Sequence, residues 1–137
     1  MTSLDHGKEA ARMREAKVYE EYAFEDCPLI CRVIPMGKDY TVLVCGGTLP
    51  HIGSTVMAQA RPSLTGQGIS ATSSVLNCVG HKDEIIARMF AEKIAVHGNC
   101  TVVCVCGIHL DNISEEQLAG VQECCERLLK RILVDME

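Results

Sequence analysis

Five histidines occur in the chain, and three of them sit inside short, glycine-flanked polar motifs: Pro50-His51-Ile52-Gly53, Gly80-His81-Lys82-Asp83-Glu84 and Gly107-Ile108-His109-Leu110-Asp111-Asn112. Neutral imidazole is a common ligand for borderline metal ions, and carboxylates complete such sites. Glu84 follows His81 by three residues, and an i, i+3 pair lies on one helix face. Asp111 follows His109 by two, which in extended chain puts both side chains on one side. His51, His81, Glu84, His109 and Asp111 are therefore the candidate metal ligands. A lone histidine at a strand end is ordinarily a hydrogen-bonded surface residue, so the case rests on the three motifs converging. His6 and His97 lie in no such motif.

Gly46-Gly47 and Gly53 permit tight turns or a close backbone approach, and a structural corner explains them as well as a ligand does. Gly80-His81-Lys82 at the start of a helix offers free N–H groups, a positive dipole end and a cation, a site suited to a phosphate or carboxylate. Asp83 and Glu84 also favour that dipole, which can be their whole role. No serine occupies a nucleophile elbow, and Cys45, Cys78 and Cys106 lie in or beside apolar strands, so a Ser/His/Asp or thiol nucleophile is disfavoured. A small metal-dependent hydrolase or lyase, with Glu84 or Asp111 as general base, stays open.

The elements that position these motifs follow from pattern. Lys17–Phe24 and Leu29–Pro35 read as extended, Met36–Asp39 as a turn, and Tyr40–Cys45 as a nearly all-apolar strand buried on both faces, forming a hairpin. Ser54–Ala60 and the Ser/Thr-rich Ile69–Leu76 follow, separated by a loop. From His81 to His97 the apolar period lengthens to that of an amphipathic helix ending at Gly98-Asn99. Cys100–Cys106 reads as a second fully buried strand and Gly107–Asn112 as a loop. Ser114-Glu115-Glu116-Gln117 is a capping box opening a last helix. Strands first, then helix–strand–helix, predict an α+β two-layer sandwich: a mixed or antiparallel sheet covered by two helices. Each histidine motif then falls where a strand meets a loop or helix.

A chain of 137 residues that is 47% hydrophobic suits one domain, residues 1–137, with residues 1–14 as a polar N-terminal arm. No apolar run reaches membrane-span length and no signal-type apolar segment opens the chain. A net charge of −5 without a basic cluster argues against nucleic-acid binding. The nine cysteines are odd in number, and several lie inside apolar stretches, so a reduced, cytoplasmic protein is expected. Cys27/Cys31 and Cys124/Cys125 lack the four-ligand spacing of structural zinc. A sheet covered on one side leaves a face or an edge for another copy, so a homo-oligomer is expected.

The ordered motifs, Gly-Gly-x-x-Pro-His-Ile-Gly, Gly-His-Lys-Asp-Glu and Gly-Ile-His-x-Asp-Asn, resemble those of the LpdD-like family, small prenylated-flavin chaperones linked to UbiD-type decarboxylases. The resemblance spans about residues 30–120, with Asp83 standing where glutamate is expected. It implies a protein that binds prenylated FMN, with a divalent metal ion, and assists its delivery to an apo-decarboxylase. On that reading His51, His81 and His109 contact metal or cofactor beside Glu84 and Asp111, and Lys82 and Gly46-Gly47 face the phosphate. Gly53 and Asn112 complete the cofactor-binding set.

Overall fold

The computed structural model describes residues 14–78 and 83–136. Along the chain run β1 (Lys17–Phe24), β2 (Cys27–Met36), β3 (Asp39–Gly47), β4 (Ser54–Pro62), β5 (Ile69–Asn77), α1 (Glu84–Gly98), β6 (Thr101–His109) and α2 (Glu115–Asp135). The six strands form one sheet in the order β1-β2-β3-β6-β4-β5. Only β3 and β6 pair in parallel; every other neighbour is antiparallel. This is the α+β arrangement of a mixed sheet packed against two helices.

Local chemistry accounts for the ends of these elements. Gly37 adopts φ +62° in the two-residue turn between Met36 and Asp39, a conformation that a side chain would strain. Asn99 takes the left-handed C-cap of α1, and its N–H bonds back to the last turn. At α2 the expected capping box is formed: Ser114 accepts from the Gln117 N–H while the Gln117 side chain accepts from the Ser114 N–H.

The core lies on one face of the sheet. Cys31, Val33, Val42, Val44, Val56, Val102 and Cys104 point to it and are buried. Above them pack Phe90 and Ile94 of α1 and Cys125, Leu128 and Ile132 of α2. Helix α1 lies over β4, β5 and β6, and α2 over β1. Strand period 2 sends the alternate residues the other way. On that side, Leu43, Val103 and Val105 are only half-buried. The sequence predicts β3 and β6 to be buried on both faces, but within one chain both helices cover the same side.

A second difference concerns strand ends. Gly46-Gly47 and Gly107–His109, expected to leave the sheet, extend it: Gly46 pairs with Ile108 and Gly47 with His109. Parallel pairing holds the two glycine-containing tips together. The helix expected from His81 is described from Glu84; His81 and Lys82 lie outside the described residues. So does nearly all of the expected arm.

Candidate functional site

Because β3 and β6 run parallel, their C-terminal ends finish side by side, with Gly47 opposite His109. Strand β6 lies between β3 and β4 in the sheet, so residues 48–53 must cross its end to reach β4. Backbone bonds fix that crossing: the Thr48 N–H donates to the His109 carbonyl at 2.8 Å, and the Gly53 N–H to the Cys106 carbonyl at 3.0 Å. On its far side the Gly53 carbonyl accepts from the Cys78 N–H at 2.8 Å, just past β5. His51 rides on this crossing.

Glycine makes the crossing feasible. A Cβ on Gly107 would meet the His51 carbonyl oxygen at 1.6 Å, and one on Gly47 the His109 carbonyl oxygen at 2.1 Å. A Cβ on Gly53 would meet Asp83 Oδ2 at 2.2 Å, and one on Gly46 the Pro28 carbonyl at 2.4 Å. The missing side chains of Gly46, Gly47 and Gly53 are thus filled by protein atoms. They act here as backbone contacts that bring the motifs together.

The two described histidines meet edge to face, ring centroids 6.1 Å apart at an interplanar angle of 75°. His51 Nδ1 donates to the Leu49 carbonyl at 2.9 Å, which turns Nε2 toward Asp83 Oδ2, 3.8 Å away. His109 Nε2 is 3.0 Å from Asp111 Oδ1. The side chains of His51 and His109 are 20% and 42% exposed, so both rings are within reach of a ligand. Leu49 and Ile52, on the same crossing, are exposed apolar residues. Asn112 stands just beyond in the left-handed region, φ 53°.

Asp83 is the residue that the sequence reading undervalued. It occupies the N-cap of α1 but makes no side-chain cap bond. Its carboxylate, buried to 7% exposure with the rest of the residue, accepts from the Ile108 N–H at 3.3 Å and faces His51. Burying a carboxylate is costly without such partners, so this placement is a strong structural commitment. It ties the second motif to the first and third. The signal was present in the acidic pair Asp83-Glu84, but spacing favoured Glu84.

Glu84 is drawn elsewhere. Its Oε2 pairs with Arg88 at 2.8 Å and its Oε1 accepts from Asn77 at 2.9 Å. Hydrogen bonding from Arg88, then Asn77, lowers its pKa below the usual glutamate value. Asn77 in turn accepts from buried Ser54 at 2.6 Å, and Arg88 donates to Ser73 at 2.7 Å. Of the five metal candidates, the structure brings His51, His109 and Asp111 together, seats Glu84 in this network, and leaves His81 outside the described residues. Among the described residues no group of three or more His, Cys, Asp or Glu side chains is placed to hold a metal ion.

Residues 23–137 match the family model described as "Prenylated flavin chaperone LpdD-like domain". The chain belongs to the LpdD-like family. A similar relative is Protein LpdD of Lactiplantibacillus plantarum (strain ATCC BAA-793 / NCIMB 8826 / WCFS1), 30% identical over 102 residues, which are 72% of this chain and 69% of the relative. The three histidine motifs of this LpdD-like chain all fall within the matched region. Among solved structures, a chain from the crystal structure of a novel chaperone complex for yeast 20S proteasome assembly has a similar fold. Its TM-score is 0.52 at 13% identity, covering 89% of this chain and 98% of that one, and at that identity the likeness concerns fold alone. No described helix is long and apolar enough to cross a membrane.

Proposed function

We propose that this chain is a chaperone that binds prenylated FMN and assists its delivery to a UbiD-type decarboxylase, using the strand-end site around His51 and His109. Membership of a family described as prenylated flavin chaperones supports the reading. The observation that carries it to these residues is the paired, accessible imidazoles beside exposed Leu49 and Ile52. Hydrogen-bonding nitrogens next to apolar surface fit a ligand that is a polar, anionic group joined to a flat hydrophobic ring. Prenylated FMN supplies both parts: a phosphate and an alkylated flavin.

In this reading His51 and His109 orient the ligand, and Asp83 holds His51 through its Nε2 edge. Gly46, Gly47 and Gly53 keep the crossing in place, while Lys82 and Asn112 serve as further contacts to the ligand's polar end. The metal part of the proposal rests on His81 joining His51 and His109. The described residues do not by themselves make a metal site, so no step is assigned to an ion. Nine unpaired cysteines suit a reducing, cytoplasmic setting.

Titration of the purified protein with reduced prenylated FMN under anaerobic conditions tests this, run with a divalent cation and again with chelator. Saturable binding without chemical change, weakened at least ten-fold in His51→Ala, is the expected result. Turnover of the flavin, or equal binding by wild type and His51→Ala, would overturn it. Loss of binding with chelator would assign the ion a role; unchanged binding would remove it.

A further inference from the structure

We infer that the face of the sheet that neither helix covers is the interface with a second copy of this chain, packed sheet against sheet. The face is opposite the helices and distinct from the strand-end site. Ile30, Leu43, Val103, Val105 and Met57 lie on it by strand alternation, and register sets them in adjacent rows. Leu43 is opposite Val105, and Val103 is opposite Met57. Further apolar side chains at its margins are well exposed, Val18 at 59% and Leu76 at 76%. Both fall in the Leu43–Val105 row, Val18 through its pairing with Arg32 and Leu76 through Thr55.

Size and charge favour a copy of the same chain. Six strands about 4.8 Å apart and about nine residues long at ~3.3 Å each make a face of roughly 24 by 30 Å. That is about 700 Å², close to the ~800 Å² that each partner gives to a stable interface. Leu43, Val103, Val105 and Met57 form an apolar centre on this face with Thr41, Thr55 and Ser74 beside them, a mixed composition ordinary for a protein–protein interface. Among the described residues, the side chains of Arg32 and Glu20 on this face have no ion-pair partner within the chain. They are of opposite sign and lie on adjacent strands, Glu20 opposite Ile30 and Arg32 opposite Val18. A face that carries both signs matches itself under a two-fold axis, where a face of one sign would repel its copy. Sheets stacked in this way close at about 10 Å with their inner side chains interdigitated.

Sedimentation equilibrium on the full chain reads the result directly. The expected mass is twice the 14.9 kDa of one chain at micromolar concentration. Leu43→Lys places a charge in the middle of the interface and is expected to weaken dimerisation at least 100-fold, giving the single-chain mass with an unchanged far-UV circular dichroism spectrum. Met57→Lys, at a side chain already 41% exposed in the single chain, tests the same face where folding is least disturbed. A wild-type protein that sediments as one chain at 100 µM would overturn the inference and assign the face to a different partner. So would a dimer that persists in both folded variants, because its interface would lie elsewhere. Neither outcome bears on flavin binding, so this result and that of the titration stand apart.

Discussion

Asp83 Oδ2 lies 3.8 Å from His51 Nε2, while the other oxygen of the same carboxylate takes the Ile108 N–H. One buried side chain thus connects the start of α1, the tip of β6 and the crossing that carries His51. Asp83→Asn retains an acceptor for Ile108 but removes the charge beside His51. We expect it to fold and to bind prenylated FMN at least five-fold more weakly. Asp83→Ala additionally orphans the Ile108 N–H and should cost about 1–3 kcal/mol of stability. Denaturant unfolding and flavin titration of the two variants separate the structural from the binding effect.

Gly107 and Gly37 make a matched pair of substitutions. Alanine at 107 would drive its Cβ into the His51 carbonyl, so the crossing must move. Gly107→Ala should destabilise by about 2 kcal/mol or more and abolish binding at the His51 site. Alanine at 37 meets nothing within 4 Å and pays only for φ +62°, about 1 kcal/mol. Gly37→Ala should therefore lower Tm slightly and leave binding intact.

Glu84 distinguishes two readings of the second motif. As a metal ligand it would be needed for any metal-dependent binding. In the structure both its oxygens are held by Arg88 and Asn77. Glu84→Gln should leave flavin affinity within two-fold of wild type, with or without added divalent cation. A loss greater than ten-fold, restored by raising the cation concentration, would return Glu84 to the ligand set.

Tyr19 donates to Asp135 Oδ2 at 2.7 Å, joining β1 to the end of α2. Burial, and then the Asp135 carboxylate, push the phenol up to about 12. A raised folded-state pKa means that the contribution is complete below about pH 10, the unfolded value, and is lost as pH rises toward 12. Stability should fall over that window in wild type and fall less in Tyr19→Phe. Absorbance titration at alkaline pH should show one of the three tyrosines ionising late.

Thiol accessibility offers a further check on the core. Cys78 is exposed, whereas Cys31, Cys104, Cys106 and Cys125 are buried and their pKa values raised by desolvation. An aromatic disulfide reagent should modify Cys78 within seconds to minutes. The four buried thiols should react only at the rate of opening or unfolding.

Much of this protein is local and therefore readable from its residues. Alternation and β-branching located the strands, Asn99 and Ser114 marked helix ends, and the glycine-flanked His109 marked the tip of β6, because each signal depends on neighbours within a few positions. Tertiary structure decided the rest. Leu43 and Val44 are equally apolar, yet only Val44 lies under helix, because the two helices settle on the same side of the sheet. Asp83 and Glu84 are adjacent acids at one helix start, yet Asp83 turns in to His51 and Ile108 and Glu84 turns out to Arg88. That division follows from the parallel placement of β6 beside β3, which forces residues 48–53 across its end. Strand order is a long-range property, and no short stretch of sequence contains it.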